Sequence, residues 1–459
     1  MAKTPQTVQR KKQSECDARN GADFQTFKIG GKRTYMQQFN ELYYTRLSAL
    51  KPFVLEQAQQ RWGGRSDVHH TAKVLNVEGP TLTYIIGTLF IDSNAKPSTL
   101  HMAERTHWIA DAEESGKYRD ETAVVHLEDE SGRIGLTGSE LSKATIASGV
   151  VAAVLGAETP DGRFDVAEMC FAGMPDQPEL PREIADDRFV AFVSGFNATI
   201  ERPLTLEMQL LAEYLAGNLG SEQTQRESAQ IVQVVVAGGL VELPTPPLGH
   251  TEDPKANDRL ASAKLVSQID EYLADIASSV PLVVMPGRGD PTDVSMPQQP
   301  MNPGMFAQCR QYSGFLSTTN PASLAVDGVT LLGTAGQNVD DLKHYTINGE
   351  SACELAARSL QWRHIAPTAP DTLWCYPFTT SDPFILRQAP HVYFVGNQQR
   401  ASAAWAPDVH GGGGSGGART RVVTVPTFRD NYEIALLNLR TMEYTSVCIG
   451  AKSASTDAQ

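Results

Sequence analysis

The segment Val280-Pro-Leu-Val-Val-Met-Pro-Gly-Arg-Gly-Asp290-Pro-Thr292 joins a short apolar run to a turn rich in glycine and proline. Such a run, stopped by such a turn, is typical of a buried strand in a parallel sheet. Ligands of open α/β sheets collect at the carboxyl ends of these strands. We therefore expect the turn around Asp290 to lie where a functional site would be built.

The chain around this segment alternates strand and helix patterns. The order strand, helix, strand, helix, strand implies a parallel sheet with right-handed crossovers. The predicted strands are Phe189–Ser194, Ile231–Ala237 and Leu282–Met285, and the helices are Leu204–Asn218 and Ala256–Ser278. The elements predicted downstream complete a sandwich of sheets: Thr330–Gly333, Ala352–Gln361, His391–Val395, Arg421–Val425 and Glu433–Leu439.

The first 180 residues show a different pattern. A helix is predicted over 34–61, and Pro52 is expected to kink or split it. Five short β-rich stretches between about 72 and 175, two pairs of them flanking hairpin turns, favour a small barrel, for which an OB-fold is the obvious candidate. The predicted fold class is therefore α/β plus all-β, a sheet sandwich preceded by an OB-fold barrel.

Composition changes along the chain predict its domain limits. They are a disordered basic tail (1–33), an N-terminal helical segment (34–63), an OB-fold domain (64–182), a larger α/β domain (183–450) and a second tail (451–459). Within the larger domain, Gly411-Gly-Gly-Gly-Ser-Gly-Gly417 predicts a flexible loop, either natural or engineered.

The overall composition narrows the classes of function. Of 459 residues, 41% are hydrophobic and 20% are charged, and the net charge of −14 disfavours non-specific DNA binding by the body of the protein. No apolar run is long enough to predict a membrane span, and residues 1–20 lack the apolar core of a secretory signal. Six scattered cysteines predict neither a zinc site nor a disulfide framework, and they fit a reducing compartment.

Charge is unevenly placed along the chain. Arg10-Lys11-Lys12 fits a nuclear import signal, but it also fits a solvated tail, which is the commoner case. Between Glu78 and Leu180 the predicted barrel has 7 Lys/Arg and 18 Asp/Glu, a net charge of −11. OB-folds that bind single strands use a basic groove with stacking aromatics. The acidic barrel therefore favours protein docking or a structural role over nucleic-acid binding.

The strand ends resemble those of calcineurin-like metallophosphoesterases from which the metal ligands have been lost. That family has Asp-x-His, Gly-Asp-x-x-Asp and Gly-Asn-His-Asp/Glu at three successive strand ends, and Gly-His-x-His later. The corresponding positions of the degenerate site are Gly195, Asn197, Gly239, Glu242, Arg288, Gly289, Asp290, His364, Asn397 and Gln399. Glycines and amides cannot replace the carboxylates and imidazoles that hold two metals. We therefore expect no catalytic residue, metal or cofactor.

Two of these positions keep side chains suited to metal binding. Asp290 precedes a proline, and this favours a residue that caps or holds its own turn over a metal ligand. For His364, a hydrogen-bonded packing histidine is favoured over a ligand.

Longer motifs resemble the small (B) subunits of eukaryotic replicative DNA polymerases, most closely those of polymerase delta. The match runs from about residue 24 to 440 and is poorer around Leu206 and in the Gly-rich loop. The motifs are Val284-Met-Pro-Gly287, Pro297-Gln-Gln-Pro300, Gly333-Thr-Ala-Gly-Gln-Asn338, Pro367-Thr-Ala-Pro-Asp371 and Ser381-Asp-Pro-Phe384.

This resemblance implies an inactive phosphodiesterase-like domain joined to the OB domain, in a non-catalytic nuclear scaffold subunit. The implied partners are the cysteine-rich C-terminal domain of the catalytic polymerase subunit and, through the OB domain, a third subunit that reaches the sliding clamp. The resemblance implies at most indirect contact with DNA and no contact with a membrane. It also implies that the subunit can serve in the translesion polymerase zeta. The interface residues are not predicted, because a docking surface has no spacing rule.

Two alternatives stay open at this point. The first is an active metal-dependent phosphodiesterase or 3′-exonuclease, as the resemblance implies for archaeal relatives. The second is the equivalent subunit of polymerase alpha or epsilon.

Overall fold

The computed structural model describes residue 10 and residues 26–31, 33–96, 116–119, 122–180, 184–243, 256–347, 349–406 and 419–450. The predicted 411–417 loop and the 451–459 tail lie outside these residues. Phe27 is buried, and the Gln299 amide donates to the Phe27 carbonyl and accepts from the Ile29 N–H, at 2.9 and 3.1 Å. The prediction of a disordered tail up to residue 33 is therefore wrong for residues 26–31.

The N-terminal helix α1 (Asn40–Trp62) begins later than predicted and continues unsplit through Pro52. Its buried residues include Leu47, Leu50 and Val54, which recur at helical spacing and pack on the outside of the barrel.

In some strands of the barrel buried residues alternate with exposed or half-buried ones, and in others most residues are buried. β2, β3, β4, β6 and β5 pair in this order, and β5 pairs back to β2 and closes the barrel. β4 and β6 are parallel, the other four pairings are antiparallel, and β1 adds to β2. The bounds are β1 (His69–His70), β2 (Thr83–Asp92), β3 (Val124–Glu128), β4 (Arg133–Thr137), α2 (Ser139–Lys143), β5 (Val151–Glu158) and β6 (Phe164–Phe171). The predicted barrel is thus present.

The first sheet of the α/β part has the order β10-β9-β8-β7-β16-β17. β7, β8 and β9 are parallel, as the strand–helix alternation predicts. β10, which was not predicted, pairs with β9 in parallel, and β16 and β17 are antiparallel additions. α3 begins where the Thr205 hydroxyl accepts the Met208 N–H, and it ends at Gly217, whose φ is 83°. The bounds are β7 (Phe189–Val193), α3 (Leu206–Ala216), α4 (Glu222–Ser228), β8 (Ile231–Ala237), α5 (Ala256–Ser279), β9 (Leu282–Met285), β10 (Phe315–Ser317), β16 (Glu433–Asn438) and β17 (Tyr444–Cys448).

The second sheet has the order β11-β12-β13-β15-β14, with parallel pairings at its centre and antiparallel strands at both edges. Sequence patterns missed α6, β11 and β14 because these elements are short. The bounds are β11 (Ala322–Val326), β12 (Val329–Thr334), α6 (Gln337–Lys343), α7 (Ala352–Gln361), β13 (Val392–Gln398), β14 (Ser402–Trp405), β15 (Arg421–Pro426) and α8 (Phe428–Asn431).

The two sheets face each other across one apolar layer, in which the rings of Phe192 and Phe394 lie 4.7 Å apart. Helices α3 and α5 cover the outer face of the first sheet. Helices α6 and α7 cover that of the second sheet, and their core continues into the barrel interior. Within the described residues, no helix has the length and apolar character needed to cross a bilayer.

Candidate functional site

The sheets bring several of the predicted site positions together at their carboxyl ends. Gly195 and Asn197 follow β7, Gly239 follows β8, Asp290 follows β9, and Asn397 lies near the end of β13. We call these five residues the strand-end cluster. Backbone bonds join its loops, since the N–H of Gly195 donates to Gly238 and that of Asn197 to Gly239, at 2.9 and 2.8 Å.

Asp290 is the centre of this cluster. Its side chain is buried, and its Oδ2 accepts the N–H groups of Gly239 and Gly287, each at 2.8 Å. Its Oδ1 accepts those of Leu240 and Val241, at 2.8 and 3.0 Å. Burial raises the pKa of this carboxyl, and the four N–H donors act in the opposite direction. The carboxylate therefore ties the β9 turn to the end of β8, in agreement with the interpretation that it holds its turn.

Asn397 also joins neighbouring strand ends through hydrogen bonds. Its side-chain amide donates to the carbonyls of Ala237 and Ala335, at 3.0 and 2.8 Å, and its backbone N–H donates to the Ser194 hydroxyl at 2.8 Å. Its φ of 54° is left-handed, a conformation that asparagine tolerates better than most residues.

The two glycines leave no room for a side chain. A Cβ on Gly239 would lie 2.8 Å from each of three atoms: Oδ1 of Asn197, Oδ1 of Asn397 and Cα of Gly195. A Cβ on Gly195 would lie 2.7 Å from Cγ2 of Thr427 and 2.8 Å from Oδ1 of Asn397. Both glycines have positive φ values, 68° and 73°, which disfavour any other residue.

This arrangement does not fit a two-metal centre. Such a centre holds two ions about 4 Å apart between carboxylates and imidazoles. Here the side-chain oxygens of Asn197 and Asn397 fill the space beside the backbone of the two glycines. Both carboxylate oxygens of Asp290 accept backbone N–H groups. Nor does any group of three or more His, Cys, Asp or Glu suited to metal binding occur among the residues that the structure describes.

The structure does not bring four other predicted positions into the cluster. Glu242 is exposed and lies 3.7 Å from Arg429, and Gln399 is exposed. Arg288 is exposed on the β9 turn, and Gly289 is half-buried beside the Val241 carbonyl. A register shift between Val395 and Gln398 puts Gln398 on the buried side, so the predicted site position Gln399 does not join the cluster.

His364 belongs to a different buried group. Its Nε2 lies 2.9 Å from Oδ2 of Asp382, and its Nδ1 accepts the Ala366 N–H at 3.2 Å. Burial first, and then the charge of Arg46, lower the pKa of His364 to about 4, against the opposing effect of Asp382. The ring is therefore neutral at pH 7, as the packing-histidine interpretation requires.

Arg46, which sequence reasoning missed, completes this group. Its fully buried guanidinium donates to Asp382 at 2.8 Å and to the carbonyls of Pro367 and Ala369, each at 2.7 Å. Burial alone raises the pKa of Asp382, but the charge of Arg46 and the hydrogen bonds that Asp382 makes with His364 and Arg46 outweigh it, and the net pKa is low. The buried salt bridge thus joins α1 to the 364–382 loop. An arginine among apolar positions of α1 was the available sequence signal.

Comparisons with known proteins identify the family. The family model for the OB-fold domain of the DNA polymerase delta subunit matches residues 38–169, and the model for the B subunit of DNA polymerases alpha and epsilon matches residues 190–404. The chain is 37% identical over 407 residues to the "DNA polymerase delta small subunit" of Arabidopsis thaliana, covering 89% of this chain and 90% of that protein. The chain belongs to the DNA polymerase delta small-subunit family. It is therefore an accessory subunit of a replicative DNA polymerase, and the closed barrel is an OB-fold.

Two further relatives define the range of the similarity. The "DNA polymerase delta subunit 2" of Drosophila melanogaster is 36% identical, over 91% of this chain and 94% of that protein. The "DNA polymerase II small subunit" of the archaeon Methanothermobacter thermautotrophicus is 28% identical, over 60% of this chain and 57% of that protein.

Proposed function

We propose that the chain is a non-catalytic scaffold of the polymerase delta holoenzyme, and that its α/β part is a phosphodiesterase-like domain that has lost its active site. The observation that carries the proposal is the closure of the strand-end cluster, where the Asp290 carboxylate binds four backbone N–H groups. A phosphate ester and its metals need the volume that Asn197 and Asn397 fill against Gly195 and Gly239. The two facing sheets with outer helices support the fold assignment.

The scaffold has two proposed partners within the polymerase. It grips the cysteine-rich C-terminal domain of the catalytic subunit, and its OB domain docks a third subunit that reaches the sliding clamp. The net charge of −11 over 78–180 supports a protein partner for the barrel over a phosphate backbone. We place the complex in the nucleus, in replication, repair and, with polymerase zeta, translesion synthesis.

The rigid joining of the two proposed domains, 64–182 and 183–450, supports this bridging role. One apolar core runs from the barrel residues Leu89 and Phe164 to Leu360 and Tyr393 of the α/β part. A half-buried ion pair between Lys96 and Asp371 lies at this junction, and the buried pair between Arg46 and Asp382 ties α1 to the α/β part. Partners bound to the two parts would therefore be held at a constant distance.

Co-expression tests the partner assignment. The full chain is expressed with the catalytic polymerase subunit, either complete or lacking its C-terminal domain, and the complex is analysed by affinity purification and size-exclusion chromatography. Association with the complete subunit at equal stoichiometry, lost on the truncation, is expected. Equal recovery of the truncated subunit would reject the proposed contact.

A separate measurement tests the absence of catalysis. The purified chain is dialysed against manganese, its metal content is determined, and hydrolysis of an activated phosphodiester is followed. We expect neither stoichiometric metal nor turnover. Metal bound at one or two equivalents together with turnover would reject the inactive assignment and favour the phosphodiesterase alternative.

A further inference from the structure

β14 forms one edge of the second sheet. Among the described residues it pairs on one side only, with the antiparallel strand β15. The register is Ser402 with Thr424, Ala403 with Val423, Ala404 with Val422 and Trp405 with Arg421. An unpaired strand edge is a template for another extended chain.

The direction of the backbone groups follows from this register. The Ala406 N–H donates to the Thr420 carbonyl at 2.9 Å, so these two residues form a hydrogen-bonded pair. Hydrogen-bonded and non-hydrogen-bonded pairs alternate along an antiparallel ladder. The N–H and C=O groups of Ala404 and Ser402 therefore point at β15, and those of Ala403 and Trp405 point away from the sheet.

The side chains at this edge are aromatic and cationic. Trp405 is 38% exposed, and the guanidinium carbons of Arg419 and Arg421 each lie 5.2 Å from its ring centroid. Neither guanidinium has an ion pair or a hydrogen bond with another described residue, and the Nε of Arg421 is buried without an acceptor among them. On the neighbouring helix α7, Glu354 is engaged by the Ser351 cap. The site therefore presents positive charge in a chain whose net charge is −14.

We propose that this edge is a docking site for an extended acidic segment of a partner protein, which adds to β14 as a further strand. The outward groups of Ala403 and Trp405 supply backbone hydrogen bonds, and acidic side chains at every second position of the added strand meet Arg419 and Arg421. The positive charge of the two arginines favours an occupant with negative charge. The outward backbone N–H and C=O groups favour a peptide over a nucleic acid. This inference rests on the β14 edge alone and does not depend on the proposed scaffold contacts.

The test measures binding of a fluorescently labelled peptide that alternates glutamate and valine to the full chain, by anisotropy. Ala403→Pro removes one outward N–H and leaves the β14–β15 ladder intact, because edge strands tolerate proline. Arg419→Glu reverses one charge. We expect each change to weaken binding about ten-fold or more. Arg163→Glu, the same charge reversal on an exposed barrel hairpin, is the matched control and is expected to leave binding unchanged.

Three outcomes would overturn the proposal. One is equal binding of a lysine–valine peptide, and another is preference for single-stranded oligothymidylate that is lost in Arg419→Glu. The third concerns residues 407–418, which follow β14 and lie outside the described residues. If the peptide binds only after this segment is shortened, the chain itself covers the edge. Should Ala403→Pro unfold the protein, Arg419→Glu still decides between binding and its absence.

Discussion

Asp290 shows how a side chain of a type that can bind metal takes a structural role instead. Aspartate before proline in a glycine turn predicts a residue that bonds its own turn, and the Gly287 N–H confirms that part. The three further N–H groups come from the end of β8, about fifty residues away in sequence. No local pattern predicts them, because they depend on the pairing of β8 with β9.

Replacement of Asp290 tests this structural role. Asp290→Asn keeps the size but exchanges one acceptor oxygen for an NH₂ group that faces N–H donors. We expect the free energy of unfolding to fall by about 2–4 kcal/mol, because buried donors lose their acceptor. Denaturant titration followed by circular dichroism measures it. Glu242→Gln, at an exposed position, is the control with an expected effect within about 0.5 kcal/mol; equal losses in both variants would contradict the assignment.

Introducing an acidic side chain tests the closure of the cluster. We expect Gly239→Asp to destabilise the fold by about 2–5 kcal/mol and to leave manganese binding unchanged, since its Cβ meets three atoms at 2.8 Å. Gly162→Asp is the matched control: Gly162 also has a positive φ, 77°, but has open space around it. Its expected cost is about 1 kcal/mol. Retained stability of Gly239→Asp with new metal binding would show that the site can reopen.

At the scale of elements, α1 is held by both packing and charge. Its apolar face lies on the barrel, and Arg46 reaches from the same helix to Asp382 and to the Pro367 and Ala369 carbonyls. The helix was predicted from its periodicity, but its anchoring was not. Helical spacing predicts which face of α1 is buried. It does not predict the partner of Arg46, because Asp382 lies more than 300 residues away in the sequence.

Removing the anchor should loosen the helix. Arg46→Met leaves Asp382 buried beside neutral His364, and we expect a loss of about 3–5 kcal/mol with faster amide exchange along α1. Hydrogen exchange with mass spectrometry measures both effects. Arg61→Met, on the exposed side of α1, is the control and is expected to change little. Unchanged exchange in Arg46→Met would contradict the anchoring role.

The His364–Asp382 contact predicts a pH dependence. The folded pKa of His364, about 4, lies below the value of about 6.5 in the unfolded chain. Between these values the unfolded state binds more protons, so stability rises with pH from about 4 to 6.5 and is lost on acidification. Denaturation midpoints are measured between about pH 4 and 6.5. They should rise more steeply with pH for the unmodified protein than for the His364→Asn variant. Parallel curves for both proteins would contradict the prediction.

For the whole molecule, the barrel and the α/β part share a core. The buried cluster that fills the barrel also contains residues of α6, α7 and the second sheet, and the Lys96–Asp371 pair, at 2.5 Å, lies at the junction with side-chain exposures of 10% and 19%. The sequence predicts two patterns of secondary structure with a boundary after residue 182, just beyond the proline-rich segment 175–181. In the structure Gln177 of that segment donates to the Pro390 and Arg419 carbonyls, so this residue is bound to the α/β part.

The shared core predicts cooperative unfolding. We expect one transition in denaturant, with coincident curves from circular dichroism and tryptophan fluorescence, because neither part can unfold without exposing apolar surface of the other. A fragment of residues 64–182 should be less stable than the barrel within the chain. Two resolved transitions, or a fragment of unchanged stability, would contradict this.

The sequence by itself determined the local features. These are the barrel strands β2 to β6, the strands β7, β8, β9 and β16 of the first sheet, the helix α1, and the residue types at Gly195, Asn197, Gly239 and Asn397, which offer no carboxylate or imidazole. Periodicity and residue chemistry are properties of neighbours in the chain, and they can be read without knowing the fold.

Only the tertiary structure decided which of these residues meet. It separated His364 and Gln399 from the strand-end cluster, closed the cluster around Asp290, and exposed β14 with Trp405 between two arginines. The physical reason is that strand pairing, register shifts and buried charge pairs join residues far apart in sequence. Their energies depend on distances that only the folded chain establishes.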